Sequence, residues 1–241
     1  MDPLVVLAVA GIILLSSFVR SAIGFGMGLI AMPLLGLIMN ISVATPMLAL
    51  SGMAMSLVIV GQDWKEVDWK SLRFLLAGAI LGTPVGVLLL KQLPPEPVKM
   101  LLGIIVVLFS LHGLLGRKPL PFRPSRPLEF TLGLISGTFA SGFNIGGPPL
   151  VAYGAIRGWT PSVFRASLQA YFMIAGLVAL ISHGAAGLWT KTVFWIAAIT
   201  LPAMIVGTWL GRRVNQRIDP ARFQKLIYGA LLILGVLLFA D

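Results

Sequence analysis

Apolar stretches of about 20 residues recur along the whole chain, separated by short polar loops or by glycine and proline. A hydrocarbon core about 30 Å thick requires an apolar helix of about this length for each crossing. The alternation of polar and apolar residues that is typical of a membrane β-barrel is absent. The chain is therefore predicted to be an all-α polytopic membrane protein. The predicted helical segments are 4–22, 27–39, 43–60, 72–91, 97–116, 127–142, 148–157, 161–183, 190–211 and 221–240.

Two of the breaks between segments lie inside apolar sequence and carry no charge. Both begin with Gly-Phe: residues 24–28 read Gly-Phe-Gly-Met-Gly, and residues 142–149 read Gly-Phe-Asn-Ile-Gly-Gly-Pro-Pro. Other landmarks recur in the same order, namely Ser42-Val43 and Ser162-Val163, Gly82-Thr83 and Gly207-Thr208, and Pro95 and Pro220. Matching landmarks in one order indicate an internal repeat. We assign the first repeat to residues 1–120 and the second to residues 121–241.

The distribution of Lys and Arg distinguishes two topologies, because cytoplasmic loops carry an excess of positive charge. If 4–39 and 127–157 each cross the membrane once, the basic residues divide eight to nine between the two faces, without bias. If each is a re-entrant hairpin that enters and leaves on one face, fourteen basic residues share a face and only Lys91, Lys99 and Lys191 lie opposite. We therefore expect hairpins at 4–39 and 127–157, each followed by three transmembrane helices. An odd number of crossings per repeat makes the repeats inverted and places both termini outside the cytoplasm.

The amino-acid composition agrees with a membrane protein and excludes several kinds of partner and binding site. The chain is 58% hydrophobic and 11% charged, whereas soluble domains are about 45–50% apolar and about 25% charged. The net charge of +10 resides in loops between apolar segments, so we exclude nucleic acid as a partner. The absence of cysteine excludes disulfides and thiolate metal sites. The apolar start after Asp2 lacks a basic region and a cleavage site, which favours a retained first segment over a signal peptide.

The two glycine-rich breaks are the candidate site. Glycine permits positive φ and close approach of a ligand to the backbone, and a helix that restarts after a break offers free N–H groups and a positive dipole end to an anion. Non-helical backbone in a membrane must be buried in protein or line a cavity. We therefore expect the breaks to meet near the midplane and bind an anion. The alternative is that the glycines only allow close helix packing.

Arg20 is predicted to lie deep in the membrane, roughly 24 Å into the first arm at about 1.5 Å per residue. A cation there usually faces a cavity or a partner. We expect no Asp or Glu inside the apolar segments to pair with it, so a mobile anion is its natural partner; the alternative is that Arg20 snorkels to the surface. Arg165 either guards a cytoplasmic entrance or anchors a helix at the interface. The candidate substrate-binding residues are Arg20, Ser21, Gly24, Gly26, Gly28, Ser141, Gly142, Asn144, Gly146, Gly147, Arg165 and Gln169.

Other polar residues do not form a reactive cluster. His112 and His183 are isolated from each other and from carboxylates, so we predict no metal site. Paired carboxylates, clustered histidines and a cysteine nucleophile are all missing from the sequence where catalysis would need them, so the chain is predicted not to be an enzyme and to use no cofactor.

The paired Gly-Phe breaks, 24–28 with Pro33 and 142–148, resemble the duplicated motif of the sulfite exporter TauE/SafE family over essentially the whole chain. The resemblance implies a permease of a bacterial or archaeal inner membrane that exports sulfite, sulfoacetate or a related sulfur oxyanion or organosulfonate. An anion that leaves a negative-inside cell gains about 2.3 kcal/mol per charge per 100 mV, so export needs no coupling ion. We expect alternating access between the two repeats around a midplane anion.

Two alternatives to a transporter stay open, an anion channel and an accessory membrane subunit without transport of its own. The expected partners are a small anionic substrate and the lipid bilayer, with a homodimer as an open possibility.

Overall fold

The computed structural model describes residues 3–116, 124–215 and 220–237. These residues form ten α-helices and a short 3-10 helix at Trp64–Glu66. Each segment expected from the sequence is a helix over its described residues, with ends that differ by a few residues; residues 238–240 of the last predicted segment lie outside the described residues. The helices are α1 Pro3–Ile23, α2 Met27–Ile38, α3 Ile41–Asp63, α4 Trp69–Gln92, α5 Pro95–Leu114, α6 Arg126–Phe143, α7 Gly147–Arg157, α8 Pro161–Ala185, α9 Lys191–Asn215 and α10 Pro220–Leu237.

Local chemistry sets several helix ends. The side chains of Asn40 and Asp68 accept the backbone N–H of Ser42 and Ser71, at 2.8 and 3.1 Å, and so cap α3 and α4. Proline occupies the first turn of α5, α6, α7 and α8, where its missing N–H costs no hydrogen bond. Gly158, at φ 65°, ends α7 in the left-handed conformation. The helix boundaries thus follow from capping and turn residues visible in the sequence.

Five helices in the described part of the chain are long and apolar enough to cross a membrane: Pro3–Ile23, Trp69–Gln92, Glu96–Leu114, Pro161–Ala185 and Lys191–Val214. Large apolar side chains are exposed on their outer faces, for example Leu81 and Leu88 on α4 and Ile205 on α9. Exposed apolar faces of this extent suit lipid and not water. The chain is a multi-pass helical membrane protein. By length alone α1 is able to cross the membrane, so its re-entrant path stays a prediction.

The closest helix packing joins the two halves of the chain crosswise. Helix α1 packs on α9, and α4 packs on α6. A Cβ added at Gly207 of α9 would lie 2.3 Å from the carbonyl oxygen of Leu14 in α1, and one added at Gly82 of α4 would lie 2.2 Å from that of Leu134 in α6. No side chain larger than hydrogen fits at either position. Small residues therefore allow backbone to meet backbone at both interfaces.

Both backbone breaks lie in the protein interior. Phe25, Phe143 and Ile145 are at most 2% exposed. Helices α3 and α8 pack on each other, and so do α5 and α10. The irregular backbone is therefore shielded from lipid, as a membrane requires.

Candidate functional site

The two breaks have the same length and the same place between helices. Helix α1 ends at Ile23 and α2 begins at Met27; α6 ends at Phe143 and α7 begins at Gly147, so both boundaries recur after 120 residues. The matching positions Gly24 and Asn144 both have positive φ, 91° and 56°. Asparagine is one of the few residues with a side chain that tolerates this conformation.

The structural correspondence therefore differs from the Gly-Phe dipeptides that first suggested it. Gly24 matches Asn144, and Gly142 lies inside α6. The carbonyl oxygen of Gly142 accepts a hydrogen bond from Thr45 Oγ1 at 3.2 Å, and a Cβ added to Gly142 would lie 2.7 Å from the carbonyl oxygen of Gly86. Gly142 thus serves helix packing.

The breaks touch each other. A Cβ added to Gly28 would lie 1.8 Å from the backbone oxygen of Asn144, so only glycine fits there. Gly147 faces Phe25, whose ring lies 3.7 Å from the position of an added Cβ. The start of α2 therefore lies directly against the second break, and the start of α7 lies against the first.

A cavity of about 90 Å³ lies between the breaks and helices α3 and α8. It has room for several water-sized groups and hence for a small anion. Most of its wall is apolar, and among the described residues that line it only Arg20 carries an ionised side chain. The lining residues are Arg20, Phe25, Gly26, Met27, Gly28, Leu29, Leu48, Ala49, Gly52, Met53, Ala140, Asn144, Gly146, Gly147, Phe172, Ala175, Gly176 and Ala179.

Arg20 is held in the interior and does not snorkel. It is 6% exposed, and its Nη2 donates to Gln169 Oε1 at 2.7 Å and to Ser56 Oγ. Its guanidinium lies 5.4 Å from the centre of the Phe172 ring. A Cβ added at Gly52 would lie 3.0 Å from Arg20 Nη1, so a small residue makes room for the cation.

The charge of Arg20 is not neutralised within the described residues. Its Nε is buried and has no hydrogen-bond partner there, and its hydrogen bonds go to neutral groups. A buried, uncompensated cation is costly. The cavity thus offers an anion one positive charge that no described carboxylate neutralises.

Gln169 connects Arg20 to the first break. While its Oε1 accepts from Arg20, its Nε2 donates to the carbonyl oxygen of Gly24 at 2.6 Å. Gln169 is itself fully buried. The side chain therefore fixes the position of the cation relative to the left-handed backbone at Gly24.

Asn144 braces the second break against α3. Its Nδ2 donates to the carbonyl oxygen of Thr45 at 2.9 Å, and its backbone N–H bonds to Ala140 at 2.9 Å. The amide donor is thus already used within the protein. Its contribution to the cavity is to hold the backbone in place.

The twelve candidate residues separate into three groups. Six line the cavity, and Gln169 adjoins it through Arg20. Ser21 and Ser141 instead donate to the carbonyl oxygens of Thr208 and Thr83, at 2.7 and 2.9 Å, and join helices. Outside the lining are Ser21, Gly24, Ser141, Gly142 and Arg165; inside it are Arg20, Gly26, Gly28, Asn144, Gly146 and Gly147.

Arg165 contacts the first break at Gly24 but lies outside the lining of the Arg20 cavity. Its Cγ would be 3.5 Å from a Cβ added to Gly24, so its aliphatic stem packs over that residue. The side chain is half-buried and does not line the cavity. Its role in guarding an entrance stays a prediction.

Sequence reasoning missed Ser56, Met27 and Phe172. Phe172 follows Gln169 by three residues, a spacing that places both on one helical face, so this signal was present. Ser56 lies on another helix, 36 residues from Arg20. No spacing within one helix indicates such a contact.

The expectation that no carboxylate lies inside an apolar segment is wrong for Glu129. This residue is in the first turn of α6 and is 7% exposed. Its Oε1 accepts from the hydroxyl of the buried Tyr153 at 2.8 Å. The helix dipole favours a carboxylate in this turn, which explains how an apolar helix accommodates it. Glu129 forms no ion pair with Arg20 in the described structure.

His183 is buried near the second break. Its Nε2 lies 2.8 Å from the carbonyl oxygen of Ser141, and its ring meets Trp189 edge to face at 6.0 Å. Within the described ranges, no group of three or more His, Cys, Asp or Glu side chains is arranged to hold a metal ion. His183 therefore belongs to the packing around α6.

The fold and the comparisons with known proteins define the class: the chain is a membrane transporter. It belongs to the sulfite exporter TauE/SafE family, whose model matches residues 9–238. This confirms the resemblance of the paired breaks to that family, which is a family of transporters and not of enzymes.

Curated relatives are similar over most of their length. The probable sulfite/organosulfonate exporter TauE of Cupriavidus necator is 27% identical over 91% of this chain and 88% of its own. The probable inner membrane transporter protein TsaS of Comamonas testosteroni is 23% identical over 73% and 74%. The probable membrane transporter protein YunE of Bacillus subtilis is 22% identical over 97% and 95%. No solved structure matches the chain significantly.

Proposed function

We propose that this protein exports a small sulfur-containing anion across the inner membrane, and that the anion binds in the cavity beside Arg20. The observation that carries the proposal is the buried guanidinium, which lies where the two breaks meet and whose hydrogen-bond partners among the described residues are all neutral. An anion there would compensate its charge.

The charge and the apolar lining of the cavity limit the class of substrate that it suits. One positive charge suits one negative charge, and the surrounding Phe25, Met27, Leu29 and Phe172 suit an apolar substituent. An organosulfonate with an apolar substituent combines both properties, and hydrogen sulfite has the single negative charge. The similarity to the Cupriavidus relative, which is named a probable sulfite/organosulfonate exporter, supports the same substrate class. We therefore propose sulfite, bound as the monoanion hydrogen sulfite, or an organosulfonate with one negative charge as the substrate; the second, carboxylate charge of sulfoacetate makes it the weaker candidate.

Two inverted repeats are the proposed architecture for this transport. The equal spacing of the breaks supports a repeat, and so do two equivalent hydrogen bonds, from Ser21 to Thr208 and from Ser141 to Thr83. The packing of α1 on α9 and of α4 on α6 also agrees with a repeat, because α1 then corresponds to α6 and α4 to α9. The charge distribution of the loops supports inversion, with both termini outside the cytoplasm.

Transport would proceed by alternating access around the fixed anion. The two halves would rock against each other, exposing the cavity first to the cytoplasm and then to the outside. The membrane potential drives the exit of an anion by about 2.3 kcal/mol per charge per 100 mV. No coupling ion is needed in the outward direction.

The test is anion efflux from proteoliposomes that contain the wild type, Arg20→Gln or the exposed control Arg212→Gln. Loading with sulfite and with methanesulfonate covers both proposed classes. We expect saturable efflux from the wild type and the control, and efflux at the level of protein-free liposomes for Arg20→Gln. Unchanged flux in Arg20→Gln would remove Arg20 from the mechanism. Single-channel currents without saturation would favour an anion channel, and no flux in the wild type would favour an accessory subunit.

A further inference from the structure

A second cavity lies at the ends of α4, α6 and α7 and has a volume of about 220 Å³. Four basic residues line it: Lys70 and Arg73 from α4, Arg126 from α6 and Arg157 from α7. We call it the basic pocket. None of the four lines the Arg20 cavity, so the basic pocket is a separate feature.

Most of the positive charge in the basic pocket is unpaired. Arg157 is the exception, because it lies 3.7 Å from the carboxylate of Asp68 and donates to Ser71 Oγ at 2.6 Å. Within the described ranges no ion pair or hydrogen bond neutralises Lys70, Arg73 or Arg126.

Two of these arginines, Arg73 and Arg126, contact the same aromatic ring. The guanidinium groups of Arg73 and Arg126 lie 4.9 and 5.6 Å from the centre of the Phe74 ring. Both guanidinium groups therefore contact the same ring, and both line the basic pocket. Without a ligand these charges repel each other, and an anion between them would relieve the repulsion.

The other residues that line the basic pocket leave its net charge positive. Glu129 also lines it, but this carboxylate is 7% exposed and already accepts from Tyr153. Three unpaired cations outnumber it. The first turn of α6 adds the positive end of a helix dipole, since Arg126 is the first residue of that helix and Ser125 makes no side-chain cap.

The basic pocket lies where a membrane-spanning helix begins. Lys70 and Arg73 are in the first turns of α4, one of the helices long enough to span. Trp69 beside them is 47% exposed, as is typical of a residue at the level of lipid headgroups. Farther along α4, Leu81 and Leu88 are exposed and apolar. A headgroup bound in the pocket would therefore have its acyl chains beside an apolar helix face.

We propose that the basic pocket binds the phosphate group of an anionic phospholipid. Arginine side chains bind phosphate through charge-assisted hydrogen bonds, and lipid is the source that agrees with the position of the pocket at the start of α4. The bound lipid would tie α4, α6 and α7 together on the face that carries most of the positive charge. This proposal does not depend on the identity of the transported anion.

The experiment compares lipid binding by two double variants of equal charge. Arg73→Gln with Arg126→Gln removes both stacked cations, and Lys65→Gln with Arg212→Gln removes two exposed cations outside the pocket. Native mass spectrometry and thermal shifts would be recorded with phosphatidylglycerol, phosphatidylcholine and inorganic phosphate. We expect phosphatidylglycerol to stabilise the wild type and the control, and its affinity to fall about tenfold or more in the pocket variant.

Three outcomes would overturn the proposal. Equal losses in the two double variants would mean that general surface charge attracts the lipid. Equal binding of phosphatidylcholine would remove the need for a net anion, and stabilisation by inorganic phosphate at the same concentration as phosphatidylglycerol would assign the pocket to soluble phosphate. Should the double variant fail to fold, Lys70→Gln supplies the same test, because its exposed side chain has no partner in the described structure.

Discussion

Arg20 donates to the side-chain oxygen of Gln169 at 2.7 Å, across a separation of 149 residues in the chain. The bond joins a cation of the first half of the chain to a neutral amide of the second. Because Gln169 also donates to Gly24, it orients the guanidinium without neutralising its charge. The proposed anion site depends on this neutrality.

Gln169→Glu is expected to weaken anion binding at the proposed site while leaving the shape of the cavity unchanged. The new carboxylate would pair with Arg20 and compete with the substrate. We expect the affinity for a sulfonate to fall at least tenfold, about 1.4 kcal/mol. The buried carbonyl oxygen of Gly24 would lose its donor and face a carboxylate oxygen, which costs about 1–3 kcal/mol of stability. The new ion pair with Arg20 offsets part of this cost, so the protein should still fold. Ligand-induced thermal shifts would measure the affinity.

Gln92→Glu is the matched control for this variant, since Gln92 is exposed at the end of α4 and gains the same charge. It should retain the wild-type affinity. An unchanged ligand response in Gln169→Glu would contradict the assignment of Arg20 as the anion partner.

Gly28→Ala is expected to disrupt the contact between the two breaks. The added methyl group would lie 1.8 Å from the backbone oxygen of Asn144, and backbone on both sides would have to shift. Overpacking of this kind costs about 1–3 kcal/mol or more. We expect a lower melting temperature in detergent and loss of anion binding.

Gly147→Ala is the control for Gly28→Ala. Gly147 also lines the cavity, but its added Cβ would be no closer than 3.7 Å to the Phe25 ring, an ordinary contact. It should melt within a few degrees of the wild type. Equal effects of the two substitutions would indicate that the tight fit at Gly28 is not what holds the breaks together.

Helix positions could be predicted from the sequence because apolar length, glycine and proline are local signals. The burial of Arg20 was also predictable, since an isolated cation stands out in an apolar segment. The contact of Arg20 with Ser56 was not predictable, because nothing in the sequence around a serine in an apolar helix indicates which distant residue its hydroxyl contacts. Contacts between helices depend on rotation about each helix axis, and the sequence alone does not fix this.

The match between the breaks shows how a sequence pattern misleads. Gly24 and Gly142 share a following phenylalanine, yet the residue in the position of Gly24 is Asn144. Backbone conformation, and not residue identity, defines this position. Asparagine and glycine both tolerate positive φ, so a comparison by conformational class would have found the correct register.

Asp68 is expected to make stability depend on pH in the acid range. Burial raises the pKa of its carboxyl, but hydrogen bonds from Ser71 and Trp159 and the charge of Arg157 together lower the pKa below its ordinary value. The ionised group therefore stabilises the folded state above the unfolded pKa of about 3.9. This contribution is lost as the pH falls through the lower pKa of the folded state.

The measurement is the melting temperature of the wild type and Asp68→Asn between pH 7 and pH 3. We expect the wild type to be more stable near neutrality and the difference to shrink toward pH 3. Glu96→Gln, at an exposed position in the first turn of α5, controls for the loss of one negative charge. A difference between wild type and Asp68→Asn that stays constant over this range would show that the carboxylate does not contribute through its charge.

The charge of the preferred anion follows from the single cation of the Arg20 cavity. A dianion would bring a second negative charge into a mostly apolar wall, where nothing in the described lining compensates it. At pH 7 we therefore expect methanesulfonate, which carries one negative charge, to bind at least tenfold more tightly than sulfate. Isothermal titration of the purified protein with both anions measures this ratio directly. Arg20→Gln, as the control, should lose the response to both, whereas tighter binding of sulfate would require a second positive group in the site.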